Sequence, residues 1–248
     1  MLSRLLRRFA GRASVPTLLH LTHAKAGSTW ITVILHELFG ASVAPRGKRV
    51  AEACGGDLTQ HRFEPGQVYP SMFMTREEVL AHDELNGSKR FIVIRDLRTT
   101  LAALYFSMKL SVNIEDAPFE IVQPESDEIG LLQMLETHIT RIAAIQSSWL
   151  RQGEIVLRYE DLMENGYELL GDAFIRRLAL PVSEHALSRA IRAAPAERSR
   201  RTGTIEWQKH FTPKISARFA EKFGQVLIDA GYEKDLAWAS STPVPSAL

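Results

Sequence analysis

Residues 25–30 combine side chains and a spacing suited to binding a phosphate group. They are Lys25, Ala26, Gly27, Ser28, Thr29 and Trp30, and they follow a short apolar stretch. A glycine between a strand and a helix lets backbone N–H groups approach an anion closely, and the helix dipole adds to the attraction. The hydroxyl groups of Ser28 and Thr29 can either cap the helix or donate to phosphate oxygens. The sequence therefore predicts a phosphate-binding loop.

The order of residues in this loop differs from that of a Walker A motif. A Walker A loop needs Gly, four residues and then Gly-Lys-Ser/Thr. Here Lys25 precedes the glycine by two positions, and Thr22 occupies the place of the first glycine. Trp30 lies at the edge of the apolar stripe of the following helix, where its ring either stacks on a base or packs in the core.

Apolar strands that alternate with amphipathic helices predict the scaffold around this loop. Strands are predicted at 17–22, 90–94 and 154–158, and helices from 28 to about 40 and at 99–108, 130–150, 167–180, 184–193 and 215–230. This alternation is typical of a mostly parallel sheet covered on both faces, with ligands beyond the carboxyl ends of the strands. We expect one α/β domain over residues 1–248, with a central sheet flanked by helices and a P-loop-like turn.

Four segments in the same order along the chain resemble the motifs of the sulfotransferases that use 3'-phosphoadenosine-5'-phosphosulfate (PAPS), in particular the bacterial branch of the cytosolic type. They are residues 25–30, 90–98, 155–162 and 199–212. The resemblance implies transfer of a sulfuryl group from PAPS to a hydroxyl or amine of an acceptor, with release of adenosine 3',5'-bisphosphate. It implies no metal ion.

The resemblance also implies roles for individual residues. Lys25 would stabilise the bridging oxygen as the bisphosphate leaves, and Arg95 would bind the 3'-phosphate. Asp96 is interpreted as a cap of the next helix, and Tyr159 would contact the adenine. The 3'-phosphate would further be clamped by Arg200, Arg201 and Gly203, although this basic segment is one residue shorter than the usual motif.

Two positions depart from the family pattern. A serine that usually joins the arginine at the 3'-phosphate is replaced by Ala103, so Thr99, Ser107 or a water would have to substitute. The usual catalytic histidine is also missing, because residues 68–74 contain none.

His61 is the nearest replacement for the missing histidine. It lies in a polar loop, and its group titrates near neutral pH when unperturbed. The sequence leaves Asp57, Glu52 and His82 as rival bases, and Asp57 is alternatively the residue that orients His61.

The acceptor is a metabolite, a lipid or a sugar, and the sequence does not distinguish them. Several apolar side chains could line its pocket or pack in the core, namely Met72, Phe73, Met74, Phe106 and Met108. Methionine adapts to irregular ligands.

Composition limits the class of protein and its location. The chain has 248 residues, of which 45% are hydrophobic, and a net charge of +1, which is typical of a globular protein and gives no nucleic-acid footprint. Cys54 is the single cysteine, so an internal disulfide is excluded and a reducing, cytoplasmic location is predicted. Residues 1–14 have the pattern of a basic amphipathic helix, for which we weigh a docked terminal helix against contact with an anionic membrane.

Two other functions remain as alternatives. A P-loop kinase would share the strand, loop and helix, but it needs the Gly-Lys-Ser/Thr order and acidic Mg²⁺ ligands. A non-catalytic protein that binds a bisphosphate nucleotide would keep Arg95 and Trp30 and could dispense with Lys25 and a base.

Overall fold

A four-stranded parallel sheet forms the centre of the protein. The computed structural model describes residues 15–45, 61–111, 124–194 and 206–240. Its strands are β1 (Leu18–Thr22), β2 (Val68–Met72), β3 (Lys89–Ile94) and β4 (Val156–Arg158). They are arranged in the order β2-β1-β3-β4, and each pair is parallel. The predicted α/β class with a parallel sheet is confirmed.

Helices connect the strands and cover the sheet. They are α1 (Ser28–Phe39), α2 (Arg76–Leu80), α3 (Leu97–Ser111), α4 (Asp127–Met134), α5 (Thr140–Ser148), α6 (Tyr159–Gly171), α7 (Glu184–Ala193) and α8 (Pro213–Asp229). A π-helical segment, Leu135–Ile139, joins α4 to α5, and another, Asp172–Arg177, extends α6. Within the described ranges, no helix is both long and apolar enough to cross a membrane. The helix predicted for residues 1–14 lies outside the described residues.

Alternate residues of the strands face two different apolar clusters. Leu18 on β1 and Phe91 on β3 pack with α1, α6 and α7 on one face of the sheet. Leu19 and Ile92 face the other side, where they pack with residues around α5. A third cluster joins α3, α4 and α8. Because both faces are buried, the strands carry the nearly continuous apolar runs that made them recognisable.

Several elements differ from the sequence-based prediction, among them strand β2, the short helix α2 and the start of α6. Strand β2 was not predicted, because Pro70 and Ser71 interrupt its apolar pattern; Ser71 has a positive φ of 60° at an irregular pairing with β1. Residues 159–161 lie between the strand predicted at 154–158 and the helix predicted at 167–180, but they form the first turn of α6. That helix is kinked at Asn165, which has φ −126° and ψ 34°, and the predicted helix began only beyond this kink.

Candidate phosphate-binding site

The loop between β1 and α1 has the backbone geometry of an anion site. Gly27 precedes the first residue of α1 with φ 78°, and no side chain caps this helix end. The N–H groups of the first turn are therefore left to other partners, and the helix dipole points its positive end into the loop. Lys25 also adopts a left-handed conformation, with φ 66°, which is uncommon for a residue with a side chain.

Two features favour glycine at position 27: the positive φ of its backbone and the close approach of a neighbouring ring. A Cβ atom added there would lie 2.4 Å from a ring carbon of Tyr159. Tyr159 is the first residue of α6 and is buried, so the end of β4 packs directly on the phosphate loop. A side chain at position 27 would displace either the ring or the loop.

Arg95 joins the end of β3 to the same loop. Its Nη1 donates a hydrogen bond of 2.7 Å to the backbone oxygen of Lys25. Its guanidinium carbon lies 4.8 Å from the centroid of the Tyr159 ring. The side chain is only 3% exposed, so Arg95 approaches the loop from inside the protein. The structure thus brings together Lys25, Arg95 and Tyr159, which were predicted from three separate motifs.

The positive charges at this site are close to one another. Burial lowers the pKa of the half-buried Lys25, and the charge of Arg95 lowers it further. Burial likewise lowers the pKa of Arg95, whereas the carboxylate of Glu160 acts in the opposite direction. A bound anion would relieve the repulsion between the two cations, so the charge distribution favours a negatively charged ligand.

Glu160 connects the ends of β3 and β4 with the C-terminal part of the fold. One of its oxygens lies 3.9 Å from Nε of Arg95 and accepts a hydrogen bond from the backbone N–H of Asp96. The other accepts a 2.8 Å bond from the hydroxyl of Tyr232. Burial raises the pKa of Glu160.

Asp96 and Arg98 fix the start of α3. Asp96 accepts a 2.8 Å hydrogen bond from the backbone N–H of Arg98, which confirms its predicted capping role. The buried guanidinium of Arg98 forms ion pairs with Asp96 and Glu233. It also lies 4.1 Å from the ring centroid of Trp207 and 4.6 Å from that of Trp238. Sequence reasoning missed this role of Arg98, because Glu233, Trp207 and Trp238 are far away along the chain.

Part of the predicted C-terminal motif is described. Trp207 lies against Arg98 in a 3-10 turn, Trp207–Lys209. Arg200, Arg201 and Gly203, which were predicted to clamp the 3'-phosphate, lie outside the described residues. Their roles stay predictions.

The remaining loop residues differ in their exposure. Ala26 is buried, Ser28 is half-buried and Thr29 is exposed on the first turn of α1. Trp30 is 5% exposed and belongs to the core beside α6, where a Cβ atom on Gly166 would come within 3.1 Å of its ring. Its contact with an adenine stays a prediction.

The described histidines that were candidate bases lie around Phe63. The ring of His61 is 4.7 Å from that of Phe63, and the ring of His82 is 4.8 Å from it. Phe63 precedes β2, and its backbone N–H bonds to Glu84, which precedes β3. These contacts lie towards the amino ends of the strands, whereas Lys25 follows a carboxyl end. The rivals Asp57 and Glu52 lie outside the described residues.

The structure also locates the residues considered as substitutes for the serine that Ala103 replaces in the predicted motif, and those predicted for the acceptor pocket. Ala103 is buried, Thr99 is half-buried, and Ser107 donates a hydrogen bond to the Leu104 oxygen of its own helix. Met72 and Met74 pack in the core next to β2, while the partly buried residues are Phe73, Phe106 and Met108.

Within the described residues, no group of three or more His, Cys, Asp or Glu side chains could hold a metal ion.

Comparison with known proteins gives a match in structure alone. No family model matches the sequence, and neither does any curated protein. Among solved structures, the chain is similar to mouse sulfotransferase SULT7A1 complexed with PAP, with a TM-score of 0.62 over 92% of this chain and 89% of that chain. The two sequences are 12% identical, so the similarity shows a shared fold.

Proposed function

We propose that this protein is a PAPS-dependent sulfotransferase that transfers a sulfuryl group to a hydroxyl or amine of a small-molecule acceptor. The observation that carries this proposal is the convergence of Lys25, Arg95 and Tyr159 at the uncapped N-terminus of α1. The fold shared with a sulfotransferase adds support. Adenosine 3',5'-bisphosphate is the proposed second product.

In the proposed reaction, the acceptor oxygen or nitrogen forms a bond to sulfur while the bond from sulfur to the bridging phosphate oxygen breaks. The electron pair of that bond stays on the bisphosphate, where the cation of Lys25 and the first-turn N–H groups of α1 stabilise it. Such stabilisation of a leaving oxygen, together with positioning, is the main source of rate in related phosphoryl transfers. The proton of the acceptor passes to a base, for which His61 is the sequence-based hypothesis.

Recognition of the second phosphate is assigned to Arg95 with Arg200, Arg201 and Gly203. A guanidinium group forms two parallel hydrogen bonds to a phosphate, which suits selective binding of a bisphosphate. Arg95 already donates one bond to the loop at Lys25, so the same side chain would link the two phosphate sites. Tyr159 and Trp30 are proposed to contact the adenine.

Calorimetry without metal ions tests the nucleotide specificity. We expect tight binding of adenosine 3',5'-bisphosphate and weaker binding of AMP and ATP, because each lost charge-assisted contact costs about 1.5–3 kcal/mol. Equal affinities for AMP and the bisphosphate would contradict the proposal, and preference for ATP with Mg²⁺ would favour a kinase.

Transfer itself is tested with labelled PAPS and a panel of alcohols, phenols, sugars, lipids and amines. Label in an acceptor would establish the reaction. Binding of the bisphosphate without transfer to any acceptor would favour the non-catalytic alternative.

A further inference from the structure

Two fully buried histidines lie on β1 and directly after it. His20 and His23 are both 0% exposed. His20 stacks on Phe91, which belongs to the cluster that packs with α1, α6 and α7 on one face of the sheet. His23 contacts Gln146 on α5, which lies on the other face. The proposed reaction does not use either ring, and both lie next to the phosphate loop.

The partner of His20 determines where its ring carries the proton. The backbone N–H of Ser71 donates a 3.1 Å hydrogen bond to Nδ1 of His20. A peptide N–H can only donate, so Nδ1 must be unprotonated. The proton of His20 therefore resides on Nε2, and the imidazolium form is incompatible with this bond.

The partner of His23 requires the opposite arrangement. Its Nδ1 lies 2.9 Å from the backbone oxygen of Ala24, which can only accept. Nδ1 of His23 must therefore carry the proton. Burial lowers the pKa of His23 to about 4, and the charge of Arg95 acts in the same direction, so the ring is neutral at pH 7.

Gln146 completes the neutral form of His23. The structure places Oε1 of Gln146 2.9 Å from Nε2 of His23. Because Nε2 accepts in the neutral form, the side-chain NH₂ of Gln146 must occupy this position instead. Turning the amide of Gln146 by half a turn achieves this, since its oxygen and nitrogen occupy equivalent positions. The turn also gives a hydrogen-bond partner to the Gln146 nitrogen, which is buried and has none in the opposite orientation.

The bond from His23 orients the backbone of the phosphate loop. In a trans peptide, the C=O and N–H groups point in opposite directions. Because the Ala24 oxygen is held by His23, the N–H of Lys25 points away from the His23 ring. The next carbonyl, that of Lys25, is held by Arg95. Two successive carbonyls of the loop are thus fixed by buried side chains.

The bond from His20 supports the loop from the other side. It holds the backbone of Ser71, whose φ is 60°. The Ser71 hydroxyl lies 3.0 Å from that of Thr32 and donates to the backbone oxygen of Ser28 at 3.3 Å. Ser28 is the first residue of α1, so His20 acts on the helix N-terminus through Ser71.

We propose that His20 and His23 are positioning residues that hold the phosphate loop through opposite neutral tautomers, with the proton on Nε2 of His20 and on Nδ1 of His23. The consequence for nucleotide affinity rests on the proposed function. The tautomers and the geometry of the loop do not.

Nuclear magnetic resonance of the full chain with ¹⁵N-labelled histidine tests the tautomers without a ligand. At pH 7 we expect the two rings to show opposite protonation patterns, and His20→Asn and His23→Asn assign their signals. Identical tautomers, or an imidazolium form of either ring at pH 7, would overturn the inference.

Matched variants test whether the rings position the loop. An Asn side chain can replace Nδ1 in either role, as an acceptor at position 20 or a donor at position 23, whereas Leu fills space without a polar atom. We expect His23→Leu and His20→Leu to shift the backbone amide signals of residues 24–29 and to weaken bisphosphate binding ~10-fold, and the Asn variants to remain within about threefold of the wild type. His185→Leu, on the exposed face of α7, serves as the control.

The readouts separate this inference from the proposed function. If the wild type fails to bind the bisphosphate, the proposed function fails, and the amide signals still decide whether the rings position the loop. Leu variants whose loop signals match the wild type would refute positioning. If the Leu variants do not fold, unchanged loop signals in the Asn variants support the role of Nδ1, and large shifts there contradict it.

Discussion

Positively charged side chains are paired differently at the two ends of the parallel sheet. At the amino ends, Arg90 on β3 makes two 2.9 Å hydrogen bonds to Glu154, and Arg76 lies 3.6 Å from the same carboxylate. At the carboxyl ends, burial lowers the pKa of both Lys25 and Arg95, and the charge of Arg95 lowers the pKa of Lys25 further; Glu160 is 3.9 Å from Arg95. Each of these two sets contains two cations and one carboxylate, but Glu154 is hydrogen-bonded directly to Arg90, whereas Glu160 is 3.9 Å from Arg95 and accepts its hydrogen bonds from Asp96 and Tyr232. The cations at the carboxyl end are therefore paired less closely, which favours contact with an anionic ligand.

The largest effect is expected at Lys25. Replacement by Ala removes the cation that is proposed to stabilise the leaving oxygen, so Lys25→Ala should lower turnover by ~10²–10³-fold and weaken bisphosphate binding far less. Steady-state rates with labelled PAPS and calorimetry measure the two effects. Lys214→Ala, which removes an exposed cation on α8, is the control. Weakened binding with intact turnover would make Lys25 a simple anchor.

Gly27→Ala should produce the next largest effect, because it introduces both backbone strain and a clash with Tyr159. Gly87→Ala is a matched control, since Gly87 has φ 76° and no atom within 4 Å of the added Cβ. The left-handed backbone conformation alone costs an alanine about 1–2 kcal/mol. We expect Gly27→Ala to lose more stability than the control in urea denaturation, and to lose bisphosphate affinity. Equal losses in the two variants would contradict the contact between Tyr159 and the loop.

Glu154→Gln tests the other end of the sheet. It should reduce the free energy of unfolding by about 1–3 kcal/mol, because Arg90 and Arg76 lose a charged partner, and leave bisphosphate affinity unchanged. Although burial alone would raise it, the hydrogen bonds from Arg90 hold the pKa of Glu154 below its usual value. Its stabilising contribution is therefore complete above the pKa of the unfolded carboxyl, is lost as the pH falls through the folded value, and should be absent in the variant. If Glu154→Gln also weakened bisphosphate binding substantially, the proposed difference between the two ends of the sheet would be wrong.

The smallest effect is expected for His61→Ala. A general base contributes ~10²–10⁴-fold to turnover, which is what the sequence-based hypothesis predicts for His61. Its contact with Phe63 towards the amino ends of the strands predicts instead that turnover is nearly unchanged. The acid limb of the pH–rate profile distinguishes the two, since it disappears only if His61 is the base.

The sequence predicted the elements and residues that short-range patterns specify. Lys25, Arg95 and Tyr159 each follow a recognisable strand, and parallel strands bring their carboxyl ends to one edge. Strand β2 was not predicted, because Pro70 interrupts its apolar pattern. The contact of His23 with Gln146 was not predicted either, because a buried histidine has no characteristic spacing and Gln146 is 123 residues away.

Arg98 has a consequence for the order in which the fold is completed. Its ion pair with Glu233 joins residues 135 positions apart, and Trp238 lies still further along the chain. At synthesis rates of about 5–20 residues per second, the start of α3 leaves the ribosome on the order of 10 s before these partners. During that interval Asp96 is the nearest countercharge to Arg98. The β3 end of the candidate site therefore acquires these contacts late in synthesis, and a stalled chain that stops before residue 233 would contain the phosphate loop without the ion pair between Arg98 and Glu233.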